Sequence, residues 1–312
     1  MENQAYLPAA GAAEPHGALY LVLSYLRLPE LLAFRQVCRA FRDEIATDEL
    51  LWRHITVAPP LSGKLTDDIL SRITSLAKGK LSFLELIRCW RITDAGLLQV
   101  VQQNLAIIKL YLPGCTCITV DGVVRVVKLL VEQNGCLKRL RIHGIFNIKG
   151  EHLIILRSLL CKNLKQECSS THFYSYCQSP SINGDDEPVI DVDVCPKCKN
   201  VRMVFDCTRE NCRAMRNKLS ECRGCFFCIA RCEECGGCLA VEELEDDTAC
   251  SHQLCSTCWL QLPKCSTCNL PLCKADMDAQ GLSSTGFICE QCRDYNSKDL
   301  ALQQELSFED VL

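Results

Sequence analysis

The 312-residue chain lacks a long apolar run: the stretch from Leu19 to Leu28 is broken by Ser24 and Arg27, where a spanning helix needs about 20 apolar residues. Its first residues, MENQAYLPAAGAAEPHG, have no basic region of the kind that opens a secretory signal. Export and membrane partners are therefore not expected, and thiols should stay reduced, in nucleus and/or cytoplasm. An excess of positive charge is missing too. Lys and Arg number 34 against 38 Asp and Glu, the net charge is -4 and the pI about 5.9, which leaves no electrostatic footprint for nucleic acid. The basic cluster Arg213 to Arg223 is too short to change that, and the acidic run Glu242, Glu243, Leu244, Glu245, Asp246, Asp247 would repel phosphate. Histidine is scarce, at 6 residues, and Gln253 follows His252, so the His-x-Glu arrangement that activates a zinc-bound water is absent. No catalytic residue is expected.

What is abundant is cysteine. Of 26, 18 fall between Cys195 and Cys292. They run as Cys195 and Cys198, Cys207 and Cys212, Cys222 and Cys225, Cys228 and Cys232, Cys235 and Cys238, Cys250 with His252, Cys255 and Cys258, Cys265 and Cys268, Cys273 alone, then Cys289 and Cys292. Two thiolates two residues apart can grip one tetrahedral ion, because the turn between them aims both sulfurs at it while backbone N–H groups support their charge. A disulfide framework would need an oxidising compartment. The 18 Cys and His252 make 19 candidate ligands, enough for four ions with three ligands over. About three to four structural zinc ions are expected, each supplying roughly 10 to 16 kcal/mol of folding free energy.

The rest of the chain divides by pattern. Residues 1–14 read as a disordered N-terminus, 15–58 as short helices, 60–161 as alternating strands and helices, 162–190 as a linker, 191–295 as the zinc module and 296–312 as a tail. Pro29 suits the first turn of a helix, and Phe34, Val37, Cys38 and Phe41 fall on one helical face. Further on, Leu81-x-x-Leu84-x-Leu86, Leu105-x-x-Ile108-x-Leu110 and Leu137-x-x-Leu140-x-Ile142 superpose as strand anchors. Thr66 and Thr93 are helix N-cap candidates. Cys89 and Cys115, outside any Cys-x-x-Cys pair, read as buried structural thiols. The fold class is α+β and multidomain.

Several of these motifs carry resemblances. Pro15-His16-Gly17-Ala18-Leu19-Tyr20-Leu21-Val22-Leu23-Ser24-Tyr25-Leu26, with Leu28-Pro29-Glu30-Leu31-Leu32, Val37-Cys38-Arg39-Ala40-Phe41 and Leu51-Trp52, resembles a three-helix F-box. Glu14 stands where that family usually has Leu, and Phe41 where it often has Trp. The anchors at 60–161, with spacings that bracket the 20 to 29 residues of such units, look like a short leucine-rich-repeat α/β solenoid. Cys235-x2-Cys238-x11-Cys250-x-His252-x2-Cys255-x2-Cys258-x6-Cys265-x2-Cys268 resembles a RING. That cross-brace would place Cys235, Cys238, Cys255 and Cys258 on one zinc and Cys250, His252, Cys265 and Cys268 on the other. Gly236 departs from the RING pattern, as does the absence of Pro between Cys265 and Cys268.

The order F-box, repeats, irregular zinc-built module is similar to that of plant F-box proteins of the Skp-interacting group. The resemblance implies a non-catalytic substrate-recognition subunit of an SCF-type ubiquitin ligase. Its partners would be the Skp adaptor, through it cullin and the RING subunit, and a target protein. Pro15, Leu23, Leu26, Pro29, Leu31, Leu32, Val37 and Trp52 are the expected adaptor contacts. Glu85, Ile87, Lys109, Tyr111, Arg139 and Arg141 alternate with the strand anchors and are expected on the target-binding face. Alternatives are a RING-type ligase recruiting a conjugating enzyme through residues 235–268, and a zinc-dependent protein-interaction scaffold.

Overall fold

A computed structural model describes residues 17–133, 137–161, 173, 188–214, 221–244, 246–250, 252–283 and 286–295. The N-terminus at 1–14, Pro15, most of the segment read as a linker and the tail at 296–312 lie outside these described residues. The chain forms two compact units, one of 1–168 with 189–192 and one of 169–188 with 193–312. Among the described residues, no helix is long and apolar enough to cross a membrane.

The first unit begins with helices α1 (Ala18–Val22), α2 (Leu28–Val37) and α3 (Arg39–Thr47). Pro29 lies in the first turn of α2, where its missing N–H costs nothing, and Glu30 accepts the Arg27 N–H at 2.6 Å. The single face expected to run from Phe34 to Phe41 is split between two helices. Cys38 is extended, at φ -152° and ψ 168°, and its thiol accepts the Phe41 N–H at 3.5 Å, so it ends α2 and caps α3. Phe41 turns inward against the rings of Phe34 and Tyr20, both 5.4 Å away, while Val37 is left 68% exposed. The buried Trp52 donates its indole N–H to the Ile45 carbonyl at 2.7 Å and closes this helical region.

A parallel sheet follows, of β1 (His54–Val57), β2 (Phe83–Leu86), β3 (Lys109–Tyr111) and β4 (Arg139–Arg141) in that order. Helices α4 (Asp67–Ser75), α5 (Asp94–Gln103) and α6 (Val120–Gln133) connect the strands, and α7 (Gly150–Cys161) follows β4. Pairing places Ile55, Leu84, Leu110 and Leu140 in one buried row. The second anchor set is therefore Ile107, Leu110 and Leu112, all fully buried, rather than Leu105, Ile108 and Leu110. The run Leu105-Ala-Ile-Ile-Lys-Leu-Tyr-Leu112 carries two overlapping frames two residues apart. Only cross-strand register chooses between them, and a shift of two keeps every residue on its face. The same frame, as Trp52, Ile55 and Val57, opens a strand the sequence did not disclose.

The helices are held in step through their N-termini. Thr119 donates its backbone N–H and its hydroxyl to the Asp94 carboxylate, at 2.8 and 2.5 Å. A Cβ on Gly122 would lie 2.2 Å from that carboxylate, so only glycine permits this approach. Cys89 and Cys115 are buried against backbone carbonyls, Cys115 donating to Leu86 at 3.1 Å. Residues 189–192 belong to this unit rather than to a spacer: the Leu140 N–H donates to the Val189 carbonyl at 2.8 Å. The Asp191 carboxylate accepts the Ile142 N–H at 2.8 Å and contacts His143 Nδ1 at 2.5 Å.

Among the described residues, the sheets of the second unit are two-stranded: β5 (Asp193–Val194) with β6 (Val201–Arg202), and β7 (Val204–Phe205) with β8 (Gly224–Cys225). Its helices α8 (Glu210–Ala214), α9 (Ser256–Gln261) and α10 (Lys274–Gln280) are short. With so little sheet or helix to bury, cysteine turns organise it.

Candidate metal centres and docking faces

Three turns of the second unit are built alike. At Cys195, Cys232 and Cys265, the cysteine N–H donates to the carbonyl five residues on, in Asn200, Gly237 and Leu270, at 2.9, 2.8 and 3.0 Å. Its own carbonyl accepts the N–H four residues on, from Lys199, Gly236 and Asn269, each at 2.9 Å. Those three residues have φ of 62°, 74° and 56°, the left-handed conformation that glycine and asparagine tolerate best. Flanking antiparallel pairs follow in the same register, Val194 with Val201, Arg231 with Cys238 and Lys264 with Pro271. The unit is thus a tandem of one Cys-x-x-Cys hairpin used three times.

Each hairpin meets a second pair of cysteines. The groups are Cys195, Cys198, Cys225 and Cys228; Cys232, Cys235, Cys255 and Cys258; and Cys265, Cys268, Cys289 and Cys292. Two more groups lie between hairpins: Cys207, Cys212, Cys222 and Cys238, and Cys250, His252, Cys273 and Asp276. Within each group all ligand atoms lie within 4.8 Å of one another. Sulfur–sulfur distances of 4.0 Å for Cys195–Cys228, 3.9 Å for Cys198–Cys225, 3.8 Å for Cys212–Cys238, 3.7 Å for Cys235–Cys255 and 3.9 Å for Cys268–Cys289 are too long for disulfides. They match the edge of about 3.8 Å that tetrahedral thiolates make when bonded to zinc at 2.3 Å. These clusters are candidate structural metal sites.

The grouping differs from the RING cross-brace. Cys238 leaves Cys235 and closes the group of Cys207, Cys212 and Cys222, while Cys265 and Cys268 join Cys289 and Cys292. Cys235 pairs instead with Cys232, because both belong to one hairpin turn, and the next strand carries Cys238 away from it. Cys228 likewise belongs with Cys225, not with Cys232. Cys273, which stood alone in the sequence, joins Cys250 and His252, and Asp276 enters as a ligand the cysteine count did not include. With Asp276 the ligands divide into five groups of four, leaving none over.

Backbone donors prepare the leading thiols. Burial opposes ionisation of Cys195, but N–H groups of Cys198, Cys225 and Lys197 bring it down to about 6. Cys265 falls to about 6 in the same way, against burial, under N–H groups of Cys289, Cys268 and Thr267. The Cys235 thiol and then, against burial, the N–H of Cys255 lower Cys232 to about 5. Donors aimed at sulfur favour the charged form that binds metal.

Two charged side chains tie these turns together. Arg231 is fully buried and donates to the carbonyls of Cys222 at 2.6 Å, Phe205 at 2.7 Å, and Asp206 and Gly236 at 3.3 Å. Glu243, read from sequence as part of a solvated acidic loop, accepts from the Arg209 guanidinium at 2.7 Å, the Ala240 N–H at 2.8 Å and the Ser256 N–H at 3.1 Å. Burial opposes its ionisation, yet these donors hold its carboxyl at about 2.

In the first unit the expected adaptor contacts separate into two sets. Leu23, Leu31 and Trp52 are buried in the unit's own core. Pro29 and Val37 are exposed, and Leu26 and Leu32 partly so. On the sheet, Thr56, Glu85, Tyr111 and Arg141 form one cross-strand row, and His54, Phe83, Lys109 and Arg139 the next. Glu85 and Tyr111 are buried. Thr56 donates to Glu85 at 3.2 Å, and Tyr111 packs edge-on to Phe83 at 5.1 Å under the Arg141 guanidinium at 4.3 Å. Ile87, Lys109, Arg139 and Arg141 are partly exposed.

Residues 15–58 match a family model described as F-box-like, and residues 191–267 match the At3g27290 F-box protein C-terminal domain. The chain is similar to three proteins of Arabidopsis thaliana. F-box protein SKIP28 is 38% identical over 288 residues, covering 89% of each chain. F-box protein SKIP14 is 35% identical over 252 residues, 80% of this chain and 55% of that one. F-box protein At3g27290 is 35% identical over 253 residues, 78% and 65% respectively. The chain therefore spans little more than half of SKIP14, under two thirds of At3g27290 and most of SKIP28.

Proposed function

This chain belongs to the F-box protein family, whose members are non-catalytic adaptor subunits, and on that premise we propose that it is the substrate-recognition subunit of an SCF-type cullin-RING ubiquitin ligase. The region 15–58 binds the Skp adaptor, and cullin with its RING subunit joins through that adaptor. Exposed Pro29 and Val37 with half-buried Leu32 supply the apolar contact, and Pro15 extends it. The segment 60–161 is a short leucine-rich-repeat solenoid, and 191–295 is a zinc module holding one ion in each cysteine group. The work is positional: holding a target beside a charged conjugating enzyme raises the effective concentration of its lysines.

The cations Lys109 and Arg139 in one row and Arg141 in the next favour an acidic or phosphorylated target segment. Nucleus and cytoplasm, where thiols remain reduced, suit the cysteine groups. The observation that carries the reading is the F-box-like match at 15–58, joined to a helical region that keeps Val37 exposed over its own closed core. Co-purification of the full chain with the Skp adaptor tests it, beside a variant carrying Leu32→Asp and Val37→Asp. Binding that the folded variant loses supports the receptor. An adaptor that fails to bind the unmodified, metal-loaded chain refutes it.

A further inference from the structure

The five metal groups are not equivalent, and the group of Cys250, His252, Cys273 and Asp276 differs in both donor chemistry and place. His252 Nδ1 lies 3.3 Å from Cys273 Sγ and 3.0 Å from Asp276 Oδ2, and Cys273 Sγ lies 3.4 Å from that same oxygen. A tetrahedral zinc with one nitrogen, one oxygen and two sulfur ligands has edges of about 3.3 to 3.6 Å between unlike donors. The three spacings fall at or slightly below these edges, and Cys250 Sγ lies within 4.8 Å of the other three atoms.

Place supports the same assignment. Among the described residues, groups built on a hairpin alternate with groups lying between hairpins, and this group is the counterpart of Cys207, Cys212, Cys222 and Cys238. In that earlier group, Cys238 on the strand leaving the second hairpin donates its N–H to the Cys207 sulfur at 3.4 Å. Here Cys273, just beyond the third hairpin, joins Cys250 in the same group. Asp276 comes from the first turn of α10, which Cys273 precedes, so one helix start presents both ligands. Cys273, Asp276 and the pair Cys289 and Cys292 lie beyond the residues 191–267 that match the family model.

We infer that Cys250, His252, Cys273 and Asp276 form a fifth zinc site and that its ion is the exchangeable one of the module. The inference rests on the zinc reading of the cysteine groups. Exposure does not single the site out, since Cys228, Cys235 and Cys268 are exposed in other groups. Donor chemistry does: the other four groups offer four thiolates each, whereas here a carboxylate and an imidazole replace two of them, and softer thiolates hold zinc harder. The site is also a clasp. Cys250 packs both against the cluster of Cys232, Leu254, Cys255, Leu262 and Cys273 and against that of Ala249, Cys265, Leu272, Met277, Phe287 and Cys289. Loss of its ion loosens the third hairpin from the second and leaves the first hairpin in place.

Native mass spectrometry of the full chain, before and during titration with a chelator of intermediate strength, tests this. The unmodified chain should carry five zinc ions and pass through a four-zinc species. His252→Ala should carry four from the start, Asp276→Asn should release one ion at least about tenfold faster, and Asp276→Cys should slow that release. Hydrogen exchange of the four-zinc species should rise at 265–292 and stay unchanged at 193–202. Four ions in both the unmodified chain and His252→Ala would overturn the fifth site while leaving the zinc reading intact. No zinc in the unmodified chain would sink the zinc reading itself. Simultaneous release of all five ions, or an Asp276→Asn release rate equal to that of the unmodified chain, would overturn the exchangeable site.

Discussion

The Asp67 carboxylate accepts both the backbone N–H and the hydroxyl of Thr93, at 3.0 and 2.6 Å, across 26 residues of sequence. One side chain thereby joins the N-terminus of α4 to that of α5, as Asp94 joins α5 to α6 through Thr119. Gly96 leaves the room for it, since a Cβ there would lie 2.1 Å from the Asp67 carboxylate. Asp67→Ala and Gly96→Ala should each destabilise the first unit by about 1 to 3 kcal/mol, read as a lowered denaturant midpoint. Because both substitutions break one bridge, the double variant should cost less than their sum. Additive losses would show that the two residues act separately.

Trp52→Ala removes a buried indole and its bond to Ile45, and should cost about 3 to 5 kcal/mol. Val37→Asp, on the exposed end of α2, should change stability by no more than about 0.5 kcal/mol while abolishing adaptor capture. Thermal melts beside pull-downs separate the two effects.

Arg231→Met should destabilise the second unit by about 3 kcal/mol or more, because four carbonyls lose a shared donor together. The comparison is the melting temperature of the zinc-loaded chain. A melting temperature equal to that of the unmodified chain would mean that the metal turns alone hold these strands.

Glu243 gives a pH test with a definite sign. Its folded carboxyl sits at about 2 against an ordinary value of 4.5, so its stabilisation is complete above the ordinary value and is lost as pH falls from there through about 2. Glu243→Gln should therefore cost about 1.5 to 3 kcal/mol at pH 7. The cost should stay constant from pH 8 to 5, measured as the gap between denaturation curves. A gap that narrows across that interval would remove the depressed carboxyl as its cause.

Chelation should unfold the second unit, because among the described residues only two-stranded pieces and short helices otherwise hold the segments that the metal groups join. After the most exchangeable ion has left, interleaving couples the loss of two of the remaining groups: Cys238 follows Cys232 and Cys235 in sequence yet belongs to the preceding group. Circular dichroism after exhaustive chelation should keep the signal of the first unit's helices, and hydrogen exchange should become unprotected at 193–295 alone.

Much of this was legible in the residues. The Cys-x-x-Cys spacing marked Cys195, Cys198, Cys232, Cys235, Cys265 and Cys268 as ligand candidates, since two thiols on one tight turn point the same way wherever the turn is placed. Leu84 and Leu140 were legible as anchors for a similar reason, their alternation being a local property of a strand. Asp276 was not legible, because an aspartate in the first turn of a helix is already explained by the helix dipole. Nor was the break at Cys38, where an apolar face continued through a residue that caps instead.

Residue type and near-neighbour spacing sufficed for the family, the order of helical, repeating and cysteine-rich segments, and the cysteine and histidine donors, though not for Asp276. Tertiary structure alone decided which cysteines share a group, which of two frames anchors β3, and which of Leu31, Trp52, Pro29 and Val37 face inward. Those choices depend on contacts between segments tens of residues apart. Local spacing permits several such pairings at equal cost, and only register, burial and ligand-to-ligand distance separate them.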